Sequence, residues 1–306
     1  MGTPSIGFSS QMALSSTSSF SNSSLWLEFE SESIVAQRSF SDSPGIRGTR
    51  SYAEERTRTM PYKISGTVNL LCDVTMMDDL LAYILGSGPT SEVYSLTETL
   101  PSFYLMIDRV AKVFTYGPCY VGKATFSSSP GNAQLRCALE VEAETESVAN
   151  AGSFPTGMTT DTKRPFIYSD VAFTLLGGTA YSGFSWELTI DNHLLVDRFV
   201  NELTRSQIPA VDRTVTVKMQ TPWTSTETSL YNIAAASFGS ATAVFTNAEE
   251  TINSTVSTLT FSTPYLMWPG KNPVVTKKGD EIKLEIDGQA RKTGSTLEFS
   301  VTNAHG

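Results

Sequence analysis

The sequence predicts a mainly β protein of two tandem units, each a sandwich- or barrel-forming set of strands flanked by one α-helix. Three observations predict it. Period-two alternation of apolar and polar residues recurs from Trp26 almost to the C-terminus. Charged residues make up only 17% of a chain rich in Ser and Thr, a balance that suits sheets better than helical bundles. One pattern also occurs twice, in GTVNLLCDVTMMDDLLAYILG (66–86) and RTVTVKMQTPWTSTETSLYNIAAASFG (213–239). Each opens as a strand, on Val68 and Leu70 or on Val215 and Val217. Each then enters a helix at a Thr followed three residues later by an acid, Thr75 with Asp78 and Thr224 with Glu227, a capping-box-like arrangement. Each helix stops at a glycine, Gly86 or Gly239, which tolerates the left-handed C-cap. A chain of 306 residues has room for two such units of about 150 residues, each with its own core.

In chain order, residues 1–24 form a Ser-rich arm with scattered apolar anchors at Ile6, Phe8, Met12, Leu14 and Phe20. Alone it buries too little to fold, so it is either disordered or laid over a neighbouring surface. The first unit spans 25–150. It begins with the strand WLEFESES (26–33), where Leu27 and Phe29 oppose Glu28, Glu30 and Glu32. Residues 38–62 lose the pattern and form a long loop with Arg47, Arg50, Arg56 and Arg58 beside Glu54 and Glu55. A loop this long is usually functional, and the interleaved glutamates favour a protein partner over nucleic acid. A helix follows over about 76–85, then strands at 102–109, 111–127 and 133–146, with SPGN (129–132) as the turn between the last two. The last strand alternates Leu139, Val141 and Ala143 against Glu140, Glu142, Glu144 and Glu146. Residues 151–168, rich in Gly and Pro, link to the second unit at 169–306. That unit holds SDVAFTLL (169–176), a Gly177–Gly178 turn and FSWELTID (184–191), then a long connection over 192–212 that aligns with the first unit's loop. Its helix falls at about 225–237, followed by strands at 255–262, 281–287 and 295–303. Residues 25–146 and 169–303 are therefore expected to superpose.

The chemistry-bearing residues exclude several classes. A net charge of −9 disfavours wrapping a phosphate backbone. Cys72, Cys119 and Cys137 have no metal-type spacing and read as apolar thiols. The two histidines, His193 and His305, give no support to Ser–His or Cys–His catalysis, so no enzyme is expected. No phosphate loop or metal-ligand spacing occurs, and no cofactor or metal is expected. Glutamates strung along an extended strand cannot converge on one calcium ion. No basic-then-apolar leader and no membrane-spanning run is seen. What needs a reason is that two strands present one acidic face, an arrangement that suggests a surface selected for its potential.

The strand WLEFESES, the Arg-rich loop, the run SGTVNLLCDVTMMDDLLAYILG, and FSWELTIDNHLL followed by RSQIPAVDRTVTV resemble, in their order, the tail tube (major tail) proteins of long-tailed bacteriophages. The resemblance covers nearly the whole chain beyond the arm. It implies a sandwich-like unit flanked by a helix, whose strands join those of neighbours into a barrel around a channel, with rings stacking into a tube. Most such proteins carry one unit and form hexameric rings. Two units per chain would let a trimeric ring imitate six-fold symmetry. The resemblance further implies a virion protein assembled in the host bacterial cytoplasm, meeting itself, a tail terminator, a baseplate or tip and a tape measure protein. Phage DNA would pass without binding, and no membrane is involved.

On this reading Glu28, Glu30, Glu32, Glu140, Glu142, Glu144 and Glu146, with Glu187 and Glu298 of the second unit, line an acidic channel that repels phosphate. Arg47, Arg50, Glu54, Glu55, Arg56 and Arg58 make ring or subunit contacts. Two other classes stay open. One is another virion structural protein, in a baseplate or as a capsid decoration. The other is a carbohydrate-binding sandwich using Trp26, Trp186, Trp223 or Trp268 as stacking platforms, although alternation places Trp186 in the core with Leu188 and Ile190.

Overall fold

The computed structural model describes residues 6–305 apart from 43–44, 46–47, 53, 159–161, 176–178, 226–227, 229–238, 270 and 276. Strand is the dominant structure, as composition and alternation predict. In the first half the strands are β1 (Gln11–Ser15), β2 (Leu25–Trp26), β3 (Phe29–Glu32), β4 (Val35–Gln37), β5 (Phe40–Ser41), β6 (Arg58–Thr59) and β7 (Lys63–Leu71). Helix α1 (Val74–Leu85) follows, then β8 (Val93–Ser95), β9 (Phe103–Asp108), β10 (Lys112–Ser129), β11 (Asn132–Ala143) and β12 (Glu146–Asn150). The second half carries β13 (Val171–Leu175), β14 (Thr179–Tyr181), β15 (Ser185–Asp191), β16 (Thr214–Pro222), β17 (Gly239–Ile252), β18 (Thr255–Met267), β19 (Lys283–Ala290) and β20 (Ser300–Ala304). The helix expected at about 225–237 lies almost wholly outside the described residues.

Strand pairing repeats between the halves. Strand β7 is flanked by β3 and β4 on one side and by β11 on the other, and β11 pairs β10. In the same way β16 is flanked by β15 and β19, and β19 pairs β18. A second layer runs β2–β1–β9–β10–β12 in the first half and β14–β13–β17–β18–β20 in the second. β10 serves both layers of its half: residues 112–116 pair β12, and residues from Cys119 onward pair β11.

The halves are joined edge to edge. Residues 123–128 of β10 pair with residues 186–191 of β15. The result is one antiparallel sheet in the order β3/β4–β7–β11–β10–β15–β16–β19, called the long sheet below. A second junction pairs β20 with β8. The separate cores expected from the sequence merge as a consequence. Phe126 packs on Phe261 at 5.0 Å between centroids and Trp186 on Phe261 at 5.1 Å, within one buried cluster drawn from both halves. The burial of Trp186 and Trp268 removes two of the suggested stacking platforms.

Several local expectations need correction. Helix α1 begins two residues earlier than predicted, and its N-cap is Asp73, whose carboxylate accepts from the Met76 amide at 2.8 Å. Thr75 lies inside the helix. Its presumed partner Asp78 instead accepts from the Tyr94 hydroxyl at 3.0 Å and the Asn303 amide at 2.6 Å. The C-cap is Gly86, in the left-handed region at φ 106°, as expected. The supposed arm contains β1, whose Met12, Ala13 and Leu14 are buried because β1 fills the place between β2 and β9. The strand expected over 26–33 is split into β2 and β3, and a bulge between Phe29 and Ser31 breaks its alternation. β17 was not foreseen.

Loss of the Asp73 cap leaves a helix-terminal amide unsatisfied. Asp73→Ala is therefore expected to cost about 1 kcal/mol of stability, read as a lowered midpoint in a denaturant titration. An unchanged midpoint would mean that packing of α1 alone fixes its start.

Candidate functional site

The exposed face of the long sheet is the candidate site. Facing partners in an antiparallel ladder share a side, so the composition of this face follows from the register. Burying Val68, Leu139, Ala124, Ile190 and Val215 on the inner side forces Thr67, Glu140, Lys123, Asp191 and Thr214 into one outward row across five strands. A second row reads Arg136, Ser127, Glu187, Lys218 and Asp287. Between them lies an uncharged row of Asn69, Ala138, Thr125, Thr189, Thr216 and Gln289.

The charges on this face are interleaved. Lys123 donates to Glu140 at 2.9 Å and has Asp191 opposite it on the other side. The hydrogen bond to Glu140 and the charges of Glu140, Asp191 and Glu187 raise the Lys123 ammonium above its ordinary value. Lys218 stands between Glu187, at 3.4 Å, and Asp287. Arg136 grips Glu30 through two bonds of 2.7 and 2.8 Å, and this holds the Glu30 carboxyl below the usual range. Lys63 pairs with Asp197, and Lys271 pairs with Glu285. Lys283 lies over the Phe184 ring at 4.6 Å. Each of these cations thus has an acid or a ring face as its partner. Exposed pairs of this kind contribute only about 0–1 kcal/mol each to stability, so their effect is on potential more than on folding.

The glutamates singled out in the sequence divide by position. Glu30, Glu140, Glu142 and Glu187 border or sit on this face. The bulge in β3 turns Glu32 to the side of Val68, where Arg109 binds it at 2.8 Å through both Nε and Nη2. Glu28 is exposed in the gap between β2 and β3. Glu144 lies just past β11, half-buried, and burial pushes its carboxyl up. Glu146 opens β12 and accepts from Arg38 at 2.8 Å, and Glu298 accepts from Arg213 at 2.9 Å. Glu144, Glu146 and Glu298 therefore lie outside the two charged rows. Alternation in 184–191 already puts Asp191 on the side of Glu187, and the register confirms that placement. Sequence reasoning did not identify Lys123, Lys218 and Asp287 as part of the face, although alternation within β16 would have placed Lys218.

One end of the face is covered by the connection 192–212, which reaches back over the first half. Asn192 is buried and donates to the carbonyls of Val121 (3.0 Å) and Ile84 (3.2 Å). Arg205, also buried, donates to Glu142 and to the Ile64 carbonyl, each at 2.6 Å. The aligned loop 38–62 is different. It projects as the β5–β6 hairpin, with Phe40, Tyr52 and Met60 exposed beside Arg50, Glu54, Glu55, Arg56 and Arg58. Arg47 lies outside the described residues.

Among the described residues no cluster of His, Cys, Asp and Glu is arranged to hold a metal ion, and no helix is long and apolar enough to cross a membrane. Cys72, Cys119 and Cys137 are free thiols buried in the core. A family model described as phage tail tube protein matches residues 7–290. No curated protein matches the chain.

Proposed function

Because this chain belongs to the phage tail tube protein family, a family of structural tail components that stack with themselves, we propose that it forms three-protomer rings of pseudo-sixfold symmetry. The chain would then consist of two tandem tube domains, at 25–150 and 169–306. The exposed face of the long sheet would line the channel through which DNA passes.

The observation that carries this reading is the β10–β15 junction. It joins the last strand of one pairing set to the first strand of the next, and the long sheet continues through it unbroken. A chain whose halves repeat their pairings, and whose internal junction is edge to edge, leaves a first edge at β3 and β4 and a last edge beyond β19. Joining these two edges between copies would remove both, the usual resolution for exposed strand edges. Three copies would then present six equivalent sets of strands.

In such a channel Glu30, Glu140 and Glu187, with Asp191 and Asp287, would face the DNA, while Glu142 sits beneath the connection 192–212, bound to Arg205. The interleaving supports a mechanism more specific than a uniformly acidic wall. Lys123 and Lys218 would each be held between two carboxylates, so a passing phosphate would meet few cations free to bind it. The hairpin at 38–62, with Arg47, Arg50, Glu54, Glu55, Arg56 and Arg58, would reach the next ring or subunit. Assembly would take place in the host cytoplasm, ahead of joining the terminator, tip and tape measure.

Cryo-electron microscopy of tubes assembled from the purified chain tests the stoichiometry. Three chains of 33.2 kDa per ring are expected. Six chains per ring, or the long-sheet face on the outer wall, would overturn it.

A further inference from the structure

Among the described residues, the second half departs from the first in how far the strand equivalent to β10, β18, stays in the ladder. In the first half, β10 stays in the ladder as far as Ser129, held between β11 and β15. In the second half, the equivalent strand pairs β19 only at Leu266 and Met267 and then leaves the ladder. Residues 271–275 belong to no strand, and Val274 and Val275 are 65% and 68% exposed.

The registers identify what this segment corresponds to. Ser65 faces Glu142, which faces Tyr120; Thr216 faces Gln289, which faces Met267. The two ladders end on the same bond, from the Cys72 amide to the Leu135 carbonyl and from the Trp223 amide to the Ile282 carbonyl. Ser65 therefore corresponds to Thr216, four residues on from where the sequence repeat places it, and Tyr120 corresponds to Met267. Tyr120 to Glu142 and Met267 to Gln289 are equally long stretches, and each contains a turn at the matching place. That turn is at Pro130–Gly131 in one and, closed by the Asp280 amide on the Lys277 carbonyl, at Lys277–Asp280 in the other. Thr125 thus corresponds to Asn272 and Ser128 to Val275. On the opposite edge Val35 faces Ser65 as Thr189 faces Thr216, and Glu32 faces Val68 as Trp186 faces Met219. Val35 corresponds to Thr189 and Glu32 to Trp186.

Within the chain, Thr125 pairs with Thr189 and Ser128 with Trp186. We infer that residues 271–275 fold as a strand against residues 32–36 of a second copy, placing Asn272 opposite Val35 and Val275 opposite Glu32. The inference rests on the reading that the long sheet continues between copies, and it adds which segments meet, in what register, and that one of them takes its final form only on meeting. Two features of the unpaired segment agree. Val275 is exposed, yet its counterpart Ser128 is buried at 2% exposure, so pairing would remove an apolar side chain from water. Lys271 and Pro273 are residue types that keep a free edge from pairing indiscriminately. Val35, on the receiving edge, is itself 52% exposed.

Cross-linking tests the register. A chain carrying Val35→Cys and Asn272→Cys should form intermolecular disulfides under mild oxidation, because facing residues fall within bridging distance. The native thiols are buried and should not compete. Val35→Cys with Val274→Cys, a diagonal pair, should cross-link poorly, and single variants not at all. Covalent species should end at the trimer. Tubes that assemble with no cross-link, or only with the diagonal pair, overturn the pairing and leave the tube reading intact. Cross-links from the facing pair that run beyond the trimer support the pairing and overturn the three-protomer ring. Hydrogen exchange on the unmodified chain gives a second readout. The Lys271, Asn272, Val274 and Val275 amides should gain protection on assembly, and unchanged exchange in assembled tubes overturns the inference. A chain that stays monomeric at high concentration overturns both.

Discussion

Arg205→Ala is expected to destabilise the protein by about 2–3 kcal/mol. Removing one member of a buried ion pair typically costs about 3–5 kcal/mol, because the remaining charge loses its partner in a poorly solvated place. The lower figure applies because the Glu142 side chain keeps 22% of its exposure and water can reach it. Truncation also leaves the Ile64 carbonyl without the guanidinium that binds it at 2.6 Å. The thermal midpoint should fall by roughly 3–5 °C. Arg205→Lys should recover only part of the loss, since one ammonium cannot reproduce a fork that serves two acceptors. Amides in the connection 192–212 should exchange faster in the alanine variant. A midpoint within 1 °C of the unmodified chain would show that the connection is held by other contacts.

Glu140→Lys combined with Glu187→Lys is expected to have the largest effect on function. Each substitution replaces the acid beside a lysine with a second cation, so Lys123 and Lys218 lose partners and two new ammonium groups appear on the face. Stability should change little, since the original pairs are exposed. DNA binding should appear where none is expected of the unmodified chain, with a slope of log K against log salt of roughly −3 to −3.5, as for three or four phosphate contacts. Particles built from this variant should assemble but release DNA slower by on the order of tenfold or more. Replacing both residues with glutamine should give an intermediate result. Release at the normal rate from lysine-bearing tubes would contradict the proposed role of the face.

Much of the fold was legible because its strands alternate cleanly. Phe103–Asp108, Asn132–Ala143 and Ser185–Asp191 each show a buried residue at every second position, and that pattern is local. β17 escaped notice because two of its four buried residues are alanines and a third is Asn247, too weak a signal to mark a strand against a background of Thr and Ala. β1 was missed because five residues in a Ser-rich segment carry little periodic signal, and burial between two other strands decided their fate. The choice of Asp73 over Thr75 as helix cap turned on a two-residue shift between adjacent capping-type residues. The least legible feature was the pairing of charges. Glutamates in alternation announce an acidic face, but Lys123 comes beside Glu140 only through the hairpin, and Arg205 reaches Glu142 only because the connection folds back. Side-chain partners that meet through tertiary structure leave no local trace.

The link between β10 and β15 also bears on how readily the molecule assembles. Their contact lies within one chain, so it forms regardless of dilution, the intervening segment holding the partners at an effective concentration of about millimolar. A ring of single-domain subunits must make every such contact by encounter, and each encounter forfeits translational and rotational freedom on the order of 4–15 kcal/mol. If three such chains stand in for six single-domain subunits, half of those encounters remain to be made. In the proposed three-protomer ring, the equilibrium amount of ring would consequently vary with about the third power of free protomer concentration instead of the sixth, and dissociation on dilution should set in at lower concentrations than for an unfused equivalent.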